Sequence, residues 1–428
     1  MDKTLQTGPV QLQGTCLVPG DKSISHRAIM FGAMAKGQTT AKHFLFSEDC
    51  LHTIGAFKAL GVNIQTTTDS VTIDGVGLDG LKPPKGPLDM GNSGTSTRLL
   101  LGLLSRQAFD MDFIGDASLS KRPMGRVLDP LASMGAKFTA TAGHLPVQVA
   151  ANAHLKPLDY HIPVASAQVK SALIFAALQA DGVSHLTEKL ATRDHTERML
   201  RYFGGDLTTA GLTLTVTPKQ HLTGQDLTVP GDPSSAAFFI TAATLLAGSD
   251  VLLPNVGLNT TRIGFLNIIG QMNGAISVEK MTEGFEPTGD LRVKHAQLTG
   301  VTITKEAIPA VIDELPLVAL CATQAQGVTT ISGAEELRVK ETDRISTITQ
   351  ELRKMGANIE EKPDGMIITG PTPLHAVDTN LDSHGDHRIA MMLMVAALLS
   401  QDHFKLQNAD AVNVSYPKFY EDLLALIY

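Results

Sequence analysis

Six apolar stretches recur along this chain at an almost constant interval, and that repeat constrains the fold more than any other feature. They begin near Ser23, Gly94, Ser166, Ser234, Asp313 and Asp386, at separations of 71, 72, 68, 79 and 73 residues. Most open on Ser or Asp, which suit a helix N-cap, and several close on Gly, a common helix stop. They are apolar nearly all round, so they are expected to be buried helices. A second, more amphipathic set begins near Glu48, Lys121, Arg193, Thr261, Glu341 and Tyr416. After five of these comes a short alternating segment, such as residues 62–75 and 357–370, whose period of two around a DG or similar turn predicts a β-hairpin.

A larger echo lies above the six. Val18-Pro-Gly-Asp-Lys-Ser23 returns as Val229-Pro-Gly-Asp-Pro-Ser234, 211 residues later. The pattern predicts an α/β (α+β) fold of two similar lobes with three units each, rather than a solenoid of six equal units. The expected boundaries are residues 1–18 plus 230–428 for one lobe and 19–229 for the other.

Composition narrows the function classes. With 43% apolar and 18% charged residues over 428 positions, the chain can bury a sizeable core. A net charge of −8, 5% aromatics and no Trp argue against a nucleic-acid partner. Cys16, Cys50 and Cys321 are far apart and form no CxxC, so neither a disulfide framework nor a cysteine zinc site is expected. The opening MDKTLQTGPV has no apolar signal-peptide core. The longest apolar run, residues 389–399, is too short to span a bilayer. The expectation is a cytoplasmic protein without a membrane partner.

The residues that can carry chemistry gather where the apolar helices start: Lys22, Ser23 and Arg27; Asn92, Gly94, Thr95 and Arg98; Ser166 and Gln168; Asp313 and Glu314; Asp386, His387 and Arg388. A helix N-terminus offers free N–H groups and partial positive charge, and added Arg or Lys makes it a phosphate or carboxylate site. The amphipathic set adds Lys121, Arg122, Arg193, Lys340 and Arg344. Asp313 and Glu341 stand beside cations, which suits a general base. The bland alternatives are that Asp313 is only an N-cap and Glu341 only an i,i+3 partner of Arg344. GNSGTS lacks the ending of a P-loop, no HExxH occurs, and the DSHGDHR segment lacks the rest of a metal-ligand set.

Taken together, PGDKSISHRA, GNSGTSTR, DASLSKRPMGRVLDPL, SAQVKSA, TRDHTERML, PGDPSSAAFF, DELP, ELRVKETDR and GDHRIAM resemble, in order along the whole chain, the 5-enolpyruvylshikimate-3-phosphate synthases, an enolpyruvyl transferase family. The resemblance implies two lobes of three βαβαββ units with the active site in the cleft between them. It implies transfer of the enolpyruvyl group of phosphoenolpyruvate to the 5-hydroxyl of shikimate 3-phosphate through a tetrahedral intermediate, by a monomer that needs no cofactor or metal. The two crossings near the Pro-Gly turns predict that the lobes close when shikimate 3-phosphate binds. Carried over by position, Lys22, Ser23, Arg27, Ser166, Ala167, Gln168, Arg193, Asp313 and Lys340 look like shikimate 3-phosphate ligands. Lys22, Gly94, Arg122, Gln168, Arg344 and Arg388 look like the phosphoenolpyruvate site. Lys22, Asp313 and Glu341 look like the proton-transfer groups, with His387 a weaker candidate. Ala167, Glu336, Leu99 and Val414 depart from common family residues. The sister transferase acting on UDP-N-acetylglucosamine carries a reactive Cys at about residues 115–123, where this chain has none. A catalytically inactive anion-binding protein would be free to lose Lys22, Asp313 and Glu341, all of which are present.

Overall fold

The structure, a computed structural model, describes residues 2–218 and 220–428. The chain divides into two compact units, Gly20–Val229 and Met1–Pro19 with Pro230–Tyr428.

In the unit Gly20–Val229 the helices are α1 (Lys22–Met34), α2 (Glu48–Ala59), α3 (Gly94–Leu103), α4 (Gly125–Ser133), α5 (Ala167–Ala177) and α6 (His195–Tyr202). The apolar set, α1, α3 and α5, is buried along most of its length, whereas α2, α4 and α6 bury mainly one face. Each sheet joins one parallel pair to an antiparallel hairpin. Leu88–Asp89 runs parallel to Met111–Ile114, which pairs antiparallel with His144–Val149, which pairs with Phe138–Thr141. With the intervening helices this is a βαβαββ unit. Asp226–Thr228 returns from the far end of the unit to lie parallel to Lys36–Lys42 and completes the first sheet. The first hairpin turns at residues 67–69, where Thr67 N donates to Ser70 O at 2.9 Å. The Asp74-Gly75 pair therefore lies inside a strand and not at the turn.

Helices α1 and α3 are capped slightly before the starts their apolar runs suggest, because the cap must place an acceptor over the first free N–H groups. Asp21 takes Ile24 N at 2.9 Å and Ser93 takes Ser96 N at 3.1 Å. Ser23 and Gly94 are thereby left inside the first turns. Helices α3 and α5 approach so closely that a Cβ on Gly102 would fall 2.0 Å from Ala172 O, a contact no other residue tolerates. Phe31 packs on Phe175 and Phe203, with centroids 5.2 and 5.5 Å apart.

In the other unit the helices are α7 (Pro233–Leu245), α8 (Gly264–Gln271), α9 (Ile308–Val311), α10 (Leu315–Gln324), α11 (Arg344–Lys354), α12 (His387–Ala397) and α13 (Phe419–Ala425). Helices α7, α10 and α12 are the buried set. Gln13–Thr15 runs parallel to Asp250–Gly257, so residues before the first Pro-Gly turn complete a sheet of this unit. Thr302–Ile303 is parallel to Gly327–Ile331, followed by the hairpin Asn358–Lys362 and Gly365–Gly370. The sixth repeat is abridged. Asn380–Asp382 lies parallel to Lys405–Gln407, whose other edge is taken by Lys3–Thr4 rather than by a hairpin. Tyr416 and Phe419 are instead drawn into the core, where Phe419 packs on Phe238 and Phe239 at 5.2 and 5.7 Å. Helix α10 starts after Glu314, with α9 immediately before it, so Asp313 is not its cap. Among the described residues, no helix is long and apolar enough to cross a membrane.

Candidate functional site

Two clusters of charge form, one in each unit. In Gly20–Val229 the starts of α1, α3 and α5 carry Lys22 and Ser23, Gly94, and Ser166, Ala167 and Gln168. Lys22, Ser23 and the α5 residues are all partly exposed. Lys22 Nζ rests 2.9 Å from Asp49 Oδ2 on α2. Arg98 Nη1 donates to Gln168 Oε1 at 2.9 Å, and Gln168 Nε2 donates to Thr95 Oγ1 at 3.0 Å, so α3 and α5 are tied at their N-terminal ends. Arg122 follows a short 3-10 turn (Leu119–Lys121) and donates to Asn92 Oδ1 at 2.6 Å. A Cβ on Gly94 would meet Arg98 Nη1 at 2.8 Å and Arg122 Nη1 at 3.4 Å. Glycine here lets two guanidinium groups approach a helix N-terminus, which is the arrangement an anion requires.

Arg27 is placed differently from a free ligand. It is 4% exposed, and donates to Thr196 Oγ1 at 2.7 Å, Ser171 Oγ at 2.8 Å and Ser23 O at 2.9 Å. Two of these bonds fasten α1 to α5 and α6. Arg193 is partly exposed in the loop before α6. That loop is anchored by a group the sequence reading missed. Lys170, 1% exposed on α5, lies 2.6 Å from Glu197 Oε1 and 3.2 Å from Glu188 Oε2, and donates to Thr192 O at 3.3 Å. Burial pushes the Glu197 carboxyl up, against the opposing pull of Lys170. A lone Lys inside an otherwise apolar helix was the available signal, since such a charge needs a buried partner. His26 is also buried beside Thr53, with Nδ1 2.7 Å from Oγ1. Burial, then Lys22 and Arg27, hold its pKa well below the ordinary imidazole value.

In the other unit the structure brings Asp313, Lys340, Glu341, Arg344 and Arg388 together. Arg344 is 1% exposed at the start of α11. Its Nε donates to Asp386 Oδ2 at 2.7 Å, and its Nη2 to Glu341 Oε2 at 2.6 Å and Asp386 Oδ1 at 3.2 Å. Burial alone would lower the Arg344 pKa, but Asp386, Glu341 and Asp313 reverse that and raise it. Asp313 is ringed by cations: Arg344 Nη1 at 3.6 Å, Lys340 Nζ at 3.8 Å and Arg388 Nη2 at 3.9 Å. Asp386 also caps α12 by accepting from Arg388 N at 2.9 Å. It had been singled out only as a helix-start residue, and the structure makes it the buried counter-ion of Arg344. His387 is 3% exposed, with Nδ1 4.0 Å from Asp386 Oδ1. The rest of the DSHGDHR segment is tied down locally: Asp382 Oδ1 accepts from His384 N and Asn408 Nδ2, and His384 Nε2 lies 3.0 Å from Glu351 Oε1. A groove of about 430 Å³ bounded by Glu48, His52, Leu88 and Asp89 holds none of these residues.

The repeated βαβαββ units place the chain in a fold class that solved structures share. The enolpyruvyl transferase NikO from Streptomyces tendae shares that fold, with a TM-score of 0.81 over 99% of this chain and 98% of that one at 19% identity. The family follows from closer likenesses. Residues 6–423 match the family EPSP synthase (3-phosphoshikimate 1-carboxyvinyltransferase), and the chain belongs to that family. It is 57% identical over 415 residues to the 3-phosphoshikimate 1-carboxyvinyltransferase of Leuconostoc citreum, covering 96% of each chain. It is 54% identical to the enzyme of that name from Lactiplantibacillus plantarum, over 100% of this chain and 99% of that one. EPSP synthase from Acinetobacter baumannii matches with a TM-score of 0.89 and 43% identity, over 100% of this chain and 99% of the other.

Proposed function

We propose that this chain transfers the enolpyruvyl group of phosphoenolpyruvate to the 5-hydroxyl of shikimate 3-phosphate, releasing phosphate. The observation that carries the reading is the cluster of Asp313, Lys340, Glu341, Arg344 and Arg388, in which cations and proton-carrying carboxylates stand within 4 Å of one another. In the first step the 5-hydroxyl oxygen bonds to C2 of phosphoenolpyruvate while C3 takes a proton. In the second, the C2–O bond to phosphate breaks and C3 loses a proton, restoring the double bond.

Asp313, a carboxylate among three cations, is suited to accept the hydroxyl proton. Glu341, held by Arg344, is proposed to carry the C3 proton, with Lys22 sharing the acid role. Arg122, Arg344 and Arg388 supply the positive field for carboxylate and phosphate, and Gly94 leaves room at the phosphate. Lys22, Ser23, Arg27, Ser166, Ala167 N–H, Gln168, Arg193, Asp313 and Lys340 are proposed to hold shikimate 3-phosphate, with Arg27 also securing the helix that presents Ser23. We also propose a cytoplasmic monomer whose two units close on the first substrate. Solution scattering that detects no compaction at saturating shikimate 3-phosphate would count against closure.

The deciding experiment mixes purified protein with both substrates and follows phosphate release and product mass together. Stoichiometric phosphate with an enolpyruvyl adduct is expected. Tight binding of shikimate 3-phosphate without turnover would instead favour an inactive binder.

A further inference from the structure

The second Pro-Gly-Asp phrase, residues 229–234, matches a phrase whose first copy presents Lys22 and Ser23, yet it has no exposed counterpart of either. Pro233 replaces the Lys, and Ser234 is 2% exposed. Its side chains turn inward. Asp232 Oδ1 accepts from Ser234 N at 2.8 Å and from Arg262 Nη2 at 3.1 Å. The same Arg262 Nη2 donates to Ser234 Oγ at 2.9 Å. That bond occupies an oxygen lone pair of the hydroxyl and leaves its single proton to be donated elsewhere. The acceptor is Glu314 Oε1, on a carboxylate that is 2% exposed at the start of α10. Glu314 Oε1 stands 3.8 Å from Arg388 Nη1, and Arg388 Nη2 stands 3.9 Å from Asp313 Oδ2. A directed line therefore runs from Arg262 through Ser234 and Glu314 to Arg388 and Asp313, crossing the starts of α7, α10 and α12.

The distances give the line its meaning. Arg388 is centred between two carboxylates, each close enough to attract it and too far to accept a hydrogen bond from it. Its donors remain available to an anion. A carboxylate with nothing else to hold it would close on a guanidinium to about 2.8 Å and take two of those donors. Glu314 is held back because Ser234, itself fixed by Arg262, occupies the oxygen that faces Arg388. We infer that Ser234 and Glu314 are positioning residues, which keep Arg388 oriented and its donors uncommitted for the phosphoenolpyruvate end of the reaction. This rests on the function proposed above.

The test is steady-state kinetics of the full chain with each substrate varied in turn, for Ser234→Ala, Glu314→Gln and the double variant. Ser234→Ala removes the hydroxyl that occupies Glu314 Oε1 and is expected to let that carboxylate approach Arg388. The KM for phosphoenolpyruvate is expected to rise about tenfold or more, the scale of a hydrogen bond to a charged group. Shikimate 3-phosphate binding, read by calorimetry, stays at the parent value. Adding Glu314→Gln removes the competing charge, so the double variant is expected to recover a lower KM than Ser234→Ala alone. A merely structural role would give additive losses instead. An unchanged KM for phosphoenolpyruvate in Ser234→Ala would overturn the inference while the functional reading stands. So would equal losses for both substrates together with a lowered melting temperature. Absence of turnover in the parent protein would sink the functional reading and this inference with it.

Discussion

Replacing Lys170 by Met tests whether the buried ion network beneath the α6 loop stabilises its unit and shapes its site. The side chain is 1% exposed, and Met matches its length without its charge. At an effective dielectric near 20, the approaches of 2.6 Å to Glu197 and 3.2 Å to Glu188 correspond to about 6 and 5 kcal/mol of gross attraction. Desolvation of all three groups offsets much of that. Breaking such a pair typically costs ~3–5 kcal/mol, because a buried charge is left uncompensated. For a unit of this size the melting temperature should fall by roughly 10 °C, read by differential scanning calorimetry on the full chain. The loss should depend on pH. Glu197 already has a raised pKa from burial, and removing Lys170 raises it further. A carboxyl raised on folding lowers stability as pH rises from its unfolded to its folded value. The deficit should therefore be largest near pH 8 and shrink toward pH 5. Lys170→Met with Glu197→Gln should recover much of the loss, since Glu188 keeps its bonds from Thr192 N and Oγ1. A fall of less than 2 °C at pH 8, or a deficit independent of pH, would refute the reasoning.

Asp386→Asn removes the fully buried charge that orients Arg344. The KM for phosphoenolpyruvate should rise by at least about tenfold with shikimate 3-phosphate binding retained, and calorimetric loss of that binding would point to general disruption instead. Glu341→Ala should lower kcat mainly, leaving shikimate 3-phosphate affinity nearly intact; a purely structural role as partner of Arg344 predicts a change in KM for phosphoenolpyruvate alone. Burial pushes the Cys50 and Cys321 thiols up to about 12 and Cys16 to about 11, so a thiol-specific reagent at pH 8 should label the folded chain slowly and all three after unfolding. Rapid labelling of the folded protein would show that these sites open readily.

Local chemistry made much of this protein legible. The inner helices, their spacing and most of their capping residues follow from apolar runs that begin on Ser or Asp, because cap and burial are written within one turn of chain. The hairpins follow from period-two alternation for the same reason, although the first one turns at residues 67–69 and not at Asp74-Gly75. The cations of both clusters could be named because they sit at helix starts, where their partial charges act together. What was missed lies in contacts between residues far apart in sequence. The bonds from Arg27 to Ser171 and Thr196 join residues 144 and 169 positions apart. Asp386 and Glu314 read as helix-start acids until Arg344 and Arg388 meet them.

The sequence by itself determined the repeat, the elements and which residues could carry charge to the helix ends, since each depends on neighbours a few positions away. The tertiary structure alone decided which strands Lys3–Thr4 and Gln13–Thr15 pair with in the unit the sequence already assigns them to, and that Asp226–Thr228 closes a sheet with Lys36–Lys42. It also decided which charges are spent on packing, as Lys170 is on Glu197 and Arg344 on Asp386. Those outcomes rest on long-range pairing and on burial, and neither has a local signature: a buried ion is stable only where distant chain supplies its partner.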